Sequence, residues 1–173
     1  AYLLPGCLAQ LKQALQSHSN TAAVGPKVFW DDERQYLLPP SLLPTPAAVF
    51  RGELWRIFPW FYRHESLAFR KRAERVWSSR QPIQECALSG GNVLLSRKKV
   101  DESGGLFDER YFMYYEDSDL ILRLRKLGYQ FFVIPLAECV HSYEHHAGKM
   151  ILMERAKTQY YNKNFKHSFL LKC

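Results

Sequence analysis

Hydrophobic and polar positions along the chain change period several times, and each change predicts an element. In PGCLAQLKQALQSH, residues 5–18, Leu8, Leu11 and Leu15 fall on one stripe behind Pro5, the spacing of a surface helix. Ser19-Asn20 break it, and TAAVGPKVFW, Thr21 to Trp30, predicts a short strand interrupted at Gly25-Pro26. Residues 38–46, LPPSLLPTP, hold four of the nine prolines, so this segment is a linker or surface loop. Residues 82–97, PIQECALSGGNVLLSR, predict two strands meeting at Ser89-Gly90-Gly91-Asn92, where missing side chains allow either a sharp turn or close approach to a ligand. Tyr129 to Ile134 forms a β-rich run ended by Pro135, and Ala137 to Val140 forms another, which puts His141 at a strand exit. Met150, Met153, Ala156 and Tyr160 then give helical spacing to residues 149–165, a terminal helix expected to pack on the sheet.

The densest stretch is 104–129, GGLFDERYFMYYEDSDLILRLRKLGY. Its glycine pair permits a tight turn, and the aromatic run from Phe107 to Tyr115 predicts a buried strand or hairpin arm. At Glu116-Asp117-Ser118-Asp119 the period becomes helical, with Leu120, Ile121, Leu124 and Leu127 on one face and Gly128 as the stop. Carboxylates are stabilised in a first turn by free N–H groups and the positive dipole end. Three of them in four residues exceed what a cap needs, because like charges repel. A function or a cation is expected to offset that cost.

Composition narrows the field. The chain has 173 residues, 47% of them hydrophobic and 24% charged, one domain's worth of globular sequence. No apolar run approaches the roughly 20 residues needed to span a bilayer, and AYLLPGCLAQL lacks the basic start and apolar core of a signal peptide. Cys7, Cys86, Cys139 and Cys173 are irregularly spaced with no Cys-x-x-Cys pair, as expected of free thiols in a reducing compartment. The net charge of +7 is concentrated in residues 51–80, where eight basic residues face three acidic ones. No nucleic-acid motif accompanies that excess, so no nucleic-acid partner is expected. Two readings of 51–80 stand. Either two short helices flank Pro59 and bury their aromatic face while the arginines are solvated, or tryptophans and arginines form an interfacial segment against anionic lipid. Asp31-Asp32 is read as a solvated turn.

The string GGLFDERYFMYYEDSDLILRLRKLGYQFFVIPLAECVHS resembles the C-terminal signature of family 2 inverting glycosyltransferases of GT-A fold, and in particular their rhamnosyltransferase-like members. Weaker similarity covers residues 1–30 and 82–170, while 31–80 resembles nothing placed. The resemblance implies the C-terminal half of a GT-A domain, a mixed α/β sheet flanked by helices, occupying 1–173 with residues 38–80 as a Pro-rich loop and basic aromatic insertion. It implies transfer from a nucleotide-sugar donor to a saccharide or lipid-linked acceptor in cell-surface polysaccharide synthesis. It makes Asp117 the catalytic base, Glu116 and Tyr115 acceptor-side residues, Gly90, Gly91 and Asn92 the substrate pocket, and His141 a ligand of a divalent cation, Mn or Mg. His145 and His146 do not reproduce a zinc-protease spacing. The donor half with its Asp-x-Asp element is expected upstream, so the isolated chain is expected to be inactive. A cytoplasmic location is expected, peripheral at the inner face of the membrane. The alternative is a non-catalytic basic module that engages membrane or nucleic acid, its acidic turn merely capping a helix.

Overall fold

The computed structural model describes residues 1–17, 19–142 and 148–166, apart from the side chains at 53, 55, 56, 59 and 61. His145, His146 and Cys173 lie outside the described residues, as do the side chains of Trp55 and Phe61.

A curled mixed sheet carries the chain. Its strands are β1 (Tyr2–Leu3), β2 (Thr21–Phe29), β3 (Ile83–Glu85), β4 (Leu94–Leu95) and β5 (Gln130–Val140). The order is β1-β5-β2-β4, with β3 also on β5. β2 and β5 run parallel at the centre, and β1, β3 and β4 join antiparallel at the edges. Six consecutive residues of β2, Thr21 to Pro26, are buried, as expected of a strand covered on both faces.

The two β runs separated by Pro135 are one strand. Pro26 pairs with Ile134, but its neighbour Lys27 pairs with Glu138, so Pro135, Leu136 and Ala137 bulge out of register. Pro26 and Pro135 offer the ladder no N–H, and the irregularity falls where the two prolines meet.

α1 (Cys7–Ser17) covers one face, packing Cys7 and Leu11 against Val24, Ile134 and Ala137. The other face is covered by α3 (Pro59–Ser78) through Val76 and Trp77 and by α5 (Glu116–Lys126) through Leu120, Ile121 and Leu124. α2 (Pro46–Ile57) starts on a Thr45 cap that accepts from the Ala48 N–H, and α4 (Arg97–Glu102) is a short turn before the glycine pair. Two helices therefore flank Pro59, as the sequence predicts, but only the C-terminal half of α3 packs on the sheet. Phe50, Phe58, Trp60 and Tyr62 stay exposed. Nor are all the arginines solvated. Arg72 donates to Glu85, whose side chain is 3% exposed, and to the Ser41 carbonyl at 2.8 Å, tying α3 to β3 and to the proline-rich loop.

Two sequence expectations are corrected. β3 and β4 do not pair with one another, because β3 joins β5 and β4 joins the far side of β2. Residues 107–115 form no strand. Tyr114 and Tyr115 have φ of +71° and +65°, incompatible with an extended ladder, and Phe112 is 85% exposed. The strain is held by packing: the Tyr115 ring lies 5.3 Å from that of Tyr160 on α6 (Lys149–Phe165), and Lys149 Nζ sits 5.9 Å over Tyr114.

α6 packs on α5 and the 111–115 loop through Tyr111, Leu122, Ala156, Tyr160 and Tyr161. It is pinned there by Asp119, which is fully buried and accepts from Arg123 Nε at 3.1 Å, Lys163 Nζ at 2.6 Å and Asn164 Nδ2 at 2.9 Å. Burial opposes its ionisation, but these three donors outweigh burial and hold its pKa below the ordinary carboxylate value. A group of lowered folded pKa stabilises above its unfolded value, near 4, and loses that contribution as pH falls through the folded pKa.

Replacing Asp119 with Ala therefore leaves Lys163 and Arg123 without their buried partner and should cost about 3–5 kcal/mol in urea unfolding. The wild-type loss of stability on acidification below about pH 4 should be smaller in Asp119→Asn. Equal acid sensitivity of the two proteins would rule out Asp119 as its source.

Candidate active site

The segment between β3 and β4 has to cross the sheet face, because the strands it joins lie on opposite edges. Gly25 makes room for it: a Cβ there would meet Leu88 Cδ2 at 3.3 Å and the Asn92 carbonyl at 3.4 Å. This crossing lays the turn Gly90-Gly91-Asn92 near the end of β5 and the start of α5.

Both of the principal sequence candidates converge on that turn. The Gly90 N–H donates to Asp117 Oδ2 at 3.0 Å, and a Cβ on Gly90 would stand 2.7 Å from Asp117 Cβ, which no side chain tolerates. The Ser118 N–H donates to Oδ1 of the same carboxylate at 2.6 Å. One residue along, a Cβ on Gly91 would approach His141 Cε1 to 3.1 Å, and Asn92 Nδ2 lies 2.9 Å from His141 Nδ1. The His141 N–H donates to the Phe29 carbonyl at 2.8 Å, fixing the residue where β2 and β5 end together. Gly90, Asp117, Asn92 and His141 are all half-buried, and Gly91 is exposed. The turn thus needs two glycines because it is clamped between a carboxylate and an imidazole.

The Asn92–His141 contact has a chemical consequence. With the Asn92 carboxamide oriented to accept from Nδ1–H, Nε2 keeps a free lone pair; in the opposite orientation Nε2 carries the proton. A cation ligand requires the first arrangement.

The other acidic residues of the motif do different work. Asp119 is the buried hub described above. Glu116 is half-buried with Oε2 buried and unpartnered, and burial, with the Asp117 charge adding to it, raises its pKa. Tyr115 turns its ring toward Tyr160, and burial pushes its pKa up as well. Asp31 is a turn residue: its carboxylate accepts from the Gln35 and Tyr36 N–H groups at 2.8 Å each. Cys7, Cys86 and Cys139 are free thiols.

Sequence reasoning missed Arg123. Its guanidinium donates to the carbonyls of Ser103 at 2.7 Å, Gly105 at 2.9 Å and Leu106 at 2.5 Å while holding Asp119, so it joins the glycine turn to α5. The i, i+4 spacing from Asp119 was the available signal. Lys163 and Asn164, far along the chain, left none.

Among the described residues no group of three His, Cys, Asp or Glu side chains converges to hold a metal ion. His141 therefore has no second carboxylate, thiol or imidazole pair beside it among the described residues.

Two curated proteins of Mycobacterium tuberculosis, strains CDC 1551 / Oshkosh and ATCC 25618 / H37Rv, are each 34% identical to this chain over 145 residues. Both are named N-acetylglucosaminyl-diphospho-decaprenol L-rhamnosyltransferase. Over most of its length the chain is thus similar to curated rhamnosyltransferases, as the resemblance to family 2 glycosyltransferases implies. The matched stretch is 84% of this chain and 45% of each relative, so the chain spans about half the length of the proteins it matches. No family model matches the chain. The mixed sheet, covered by α1 on one face and by α3 and α5 on the other, is the architecture of the C-terminal part of a GT-A glycosyltransferase domain.

Gly90→Ala should force the turn away from Asp117 at a cost of about 1–3 kcal/mol, the range for overpacking a tight contact. Hydrogen exchange at the residue 90 amide should accelerate with it. An unchanged rate would mean that the amide is not held by the Asp117 carboxylate.

Proposed function

We propose that this chain is the acceptor-side part of a glycosyltransferase that moves a sugar, of rhamnosyl or related hexosyl type, from a nucleotide-sugar donor to a saccharide or lipid-linked acceptor with inversion, in cell-surface polysaccharide synthesis. The observation that carries this reading is the meeting of Asp117 and His141 on one small-residue turn, in a chain 34% identical to named rhamnosyltransferases.

Inversion needs an acceptor hydroxyl to lose its proton while it attacks the anomeric carbon opposite the departing nucleotide. Asp117 is the base. The Ser118 N–H and hydroxyl donate to Oδ1 and the Gly90 N–H to Oδ2, which orients the carboxylate and leaves Oδ2 a lone pair to accept the acceptor proton. Gly90 and Gly91 present backbone without side chains, so a sugar ring can lie against them. Glu116 and Tyr115 shape the acceptor side. His141 would supply one ligand to a divalent cation, Mn or Mg, and a cation held there would stabilise the departing diphosphate.

The exposed aromatic residues of α2 and α3 lie among Arg51, Arg63, Arg70 and Lys71, and support a peripheral foothold on an anionic membrane at the cytoplasmic face. No helix among the described residues is long and apolar enough to cross a membrane. The same observation suits a non-catalytic membrane-binding module, which would not need Asp117.

In the full-length parent enzyme, Asp117→Asn should lower transfer by about 10²–10⁴-fold, the usual contribution of a general base. Retained activity would remove Asp117 from the mechanism. The chain of 173 residues alone should transfer no sugar. Neutralising Arg70 and Lys71 together should weaken sedimentation with anionic liposomes, and Asp117→Ala should leave it unchanged.

A further inference from the structure

We propose that the furrow between residues 110–113 and α6 seats the isoprenoid diphosphate of a lipid-linked acceptor, an assignment that rests on the glycosyl-transfer reading above. Two clefts, sharing Arg110 and Gln159, run side by side along α6. One is lined by Arg110 and Arg155 together with Phe112, Met113 and Leu152; the other continues to Lys166. Cationic and apolar side chains thus share one depression, the pairing an amphiphilic anion requires.

The cations are available in different degrees. Arg110 is committed to Asp108 through a two-pronged contact, and Lys163 is shared between Asp108 and Asp119. Arg155 makes no ion pair or hydrogen bond among the described residues, and Lys166 makes none. The acidic groups closest in sequence are Glu109, which is exposed, and Glu154, which pairs with Lys157. Arg155 is therefore the free guanidinium of the furrow, with a planar fork suited to two phosphate oxygens.

The apolar wall is equally unsatisfied. Phe112 and Met113, which line it, are 85% and 42% exposed. Contiguous exposure of this kind marks a surface that is covered by something in use. The furrow is tied to the candidate base along the chain: Phe112 and Met113 on its wall precede Asp117 by five and four residues, and Lys149 of α6 lies over the ring of Tyr114 between them. An acceptor whose sugar reaches Asp117 thus has a cationic and apolar bed beside it for the group that carries the sugar. The name of the two mycobacterial relatives includes a diphospho-decaprenol, a group of this chemistry.

The test uses the full-length parent enzyme and geranylgeranyl diphosphate in detergent micelles, with geranylgeraniol, inorganic diphosphate and anionic phospholipid vesicles as separate arms. Wild type should bind geranylgeranyl diphosphate more tightly than any of the three. Arg155→Glu should weaken that binding about tenfold or more, as should Leu152→Asp, with melting temperature and nucleotide-sugar binding unchanged. Asp117→Asn, catalytically impaired, should bind the probe as wild type does. Unchanged affinity in both furrow variants, no binding by wild type, or equal competition by phospholipid vesicles would overturn the proposal. Transfer to a lipid-linked acceptor with KM unaffected by Arg155→Glu would sink the furrow alone. Furrow-dependent probe binding with no sugar transfer by wild type would sink the glycosyl-transfer reading and leave the binding site standing.

Discussion

A buried carboxylate with three donors governs this structure. Asp119 draws Arg123, Lys163 and Asn164 to one point, and each donor carries a different piece of chain with it. Arg123 brings the glycine turn at 103–106, and Lys163 and Asn164 bring the terminal helix. Lys163 also reaches Asp108, so the loop between the turn and α5 is held at both ends. A buried ion cluster of this kind contributes little net stability relative to a well-packed apolar core, but it is directional, and direction is what the loop needs. Only with both flanks fixed do Tyr114 and Tyr115 remain in the left-handed region, and only then does α5 begin at the angle that places Asp117 over Gly90.

That division of labour accounts for the acidic excess of the first turn. The three carboxylates are not three copies of one role. Asp119 faces inward and is neutralised by cations; Glu116 is half-buried with a raised pKa; Asp117 takes backbone N–H groups and faces the 90–92 turn. Separation into three environments relieves the repulsion that their spacing would otherwise impose.

The helices, the central strands and the site's members were legible because each had a local signature: a 3.6-residue stripe in α1 and α5, a Gly-Gly-Asn turn, a histidine after a β run. What was not legible came from partners far away in the chain. The aromatic run at 107–115 has a strand's composition, and only Tyr160 and Lys149 show why it bends instead. The segment at 82–97 has a hairpin's pattern, yet β5 and β2 offer each of its strands a separate edge. Pro135 reads as a terminator, and proved to be a bulge, because the parallel partner carries a proline beside it. The basic, aromatic-rich composition of 51–80 was visible at once, while the burial of Arg72 against Glu85 was not, since nothing local marks one arginine among eight cations.

Among the described residues the central strand β5 is also the last strand in chain order. β5 contributes the parallel neighbour of β2 across more than a hundred residues, Thr21 pairing with Gln130, and it supplies the docking edge for β1 and β3 as well. Within this stretch α1 and the α2–α3 pair are made early, but the strand that pairs with β2 is complete only once Val140 has been made. Such long-range pairing slows folding and leaves β2, with its run of small apolar residues, uncovered in the interval. The architecture that brings His141 to the glycine turn therefore rests on a pairing that closes only after most of this stretch has been made.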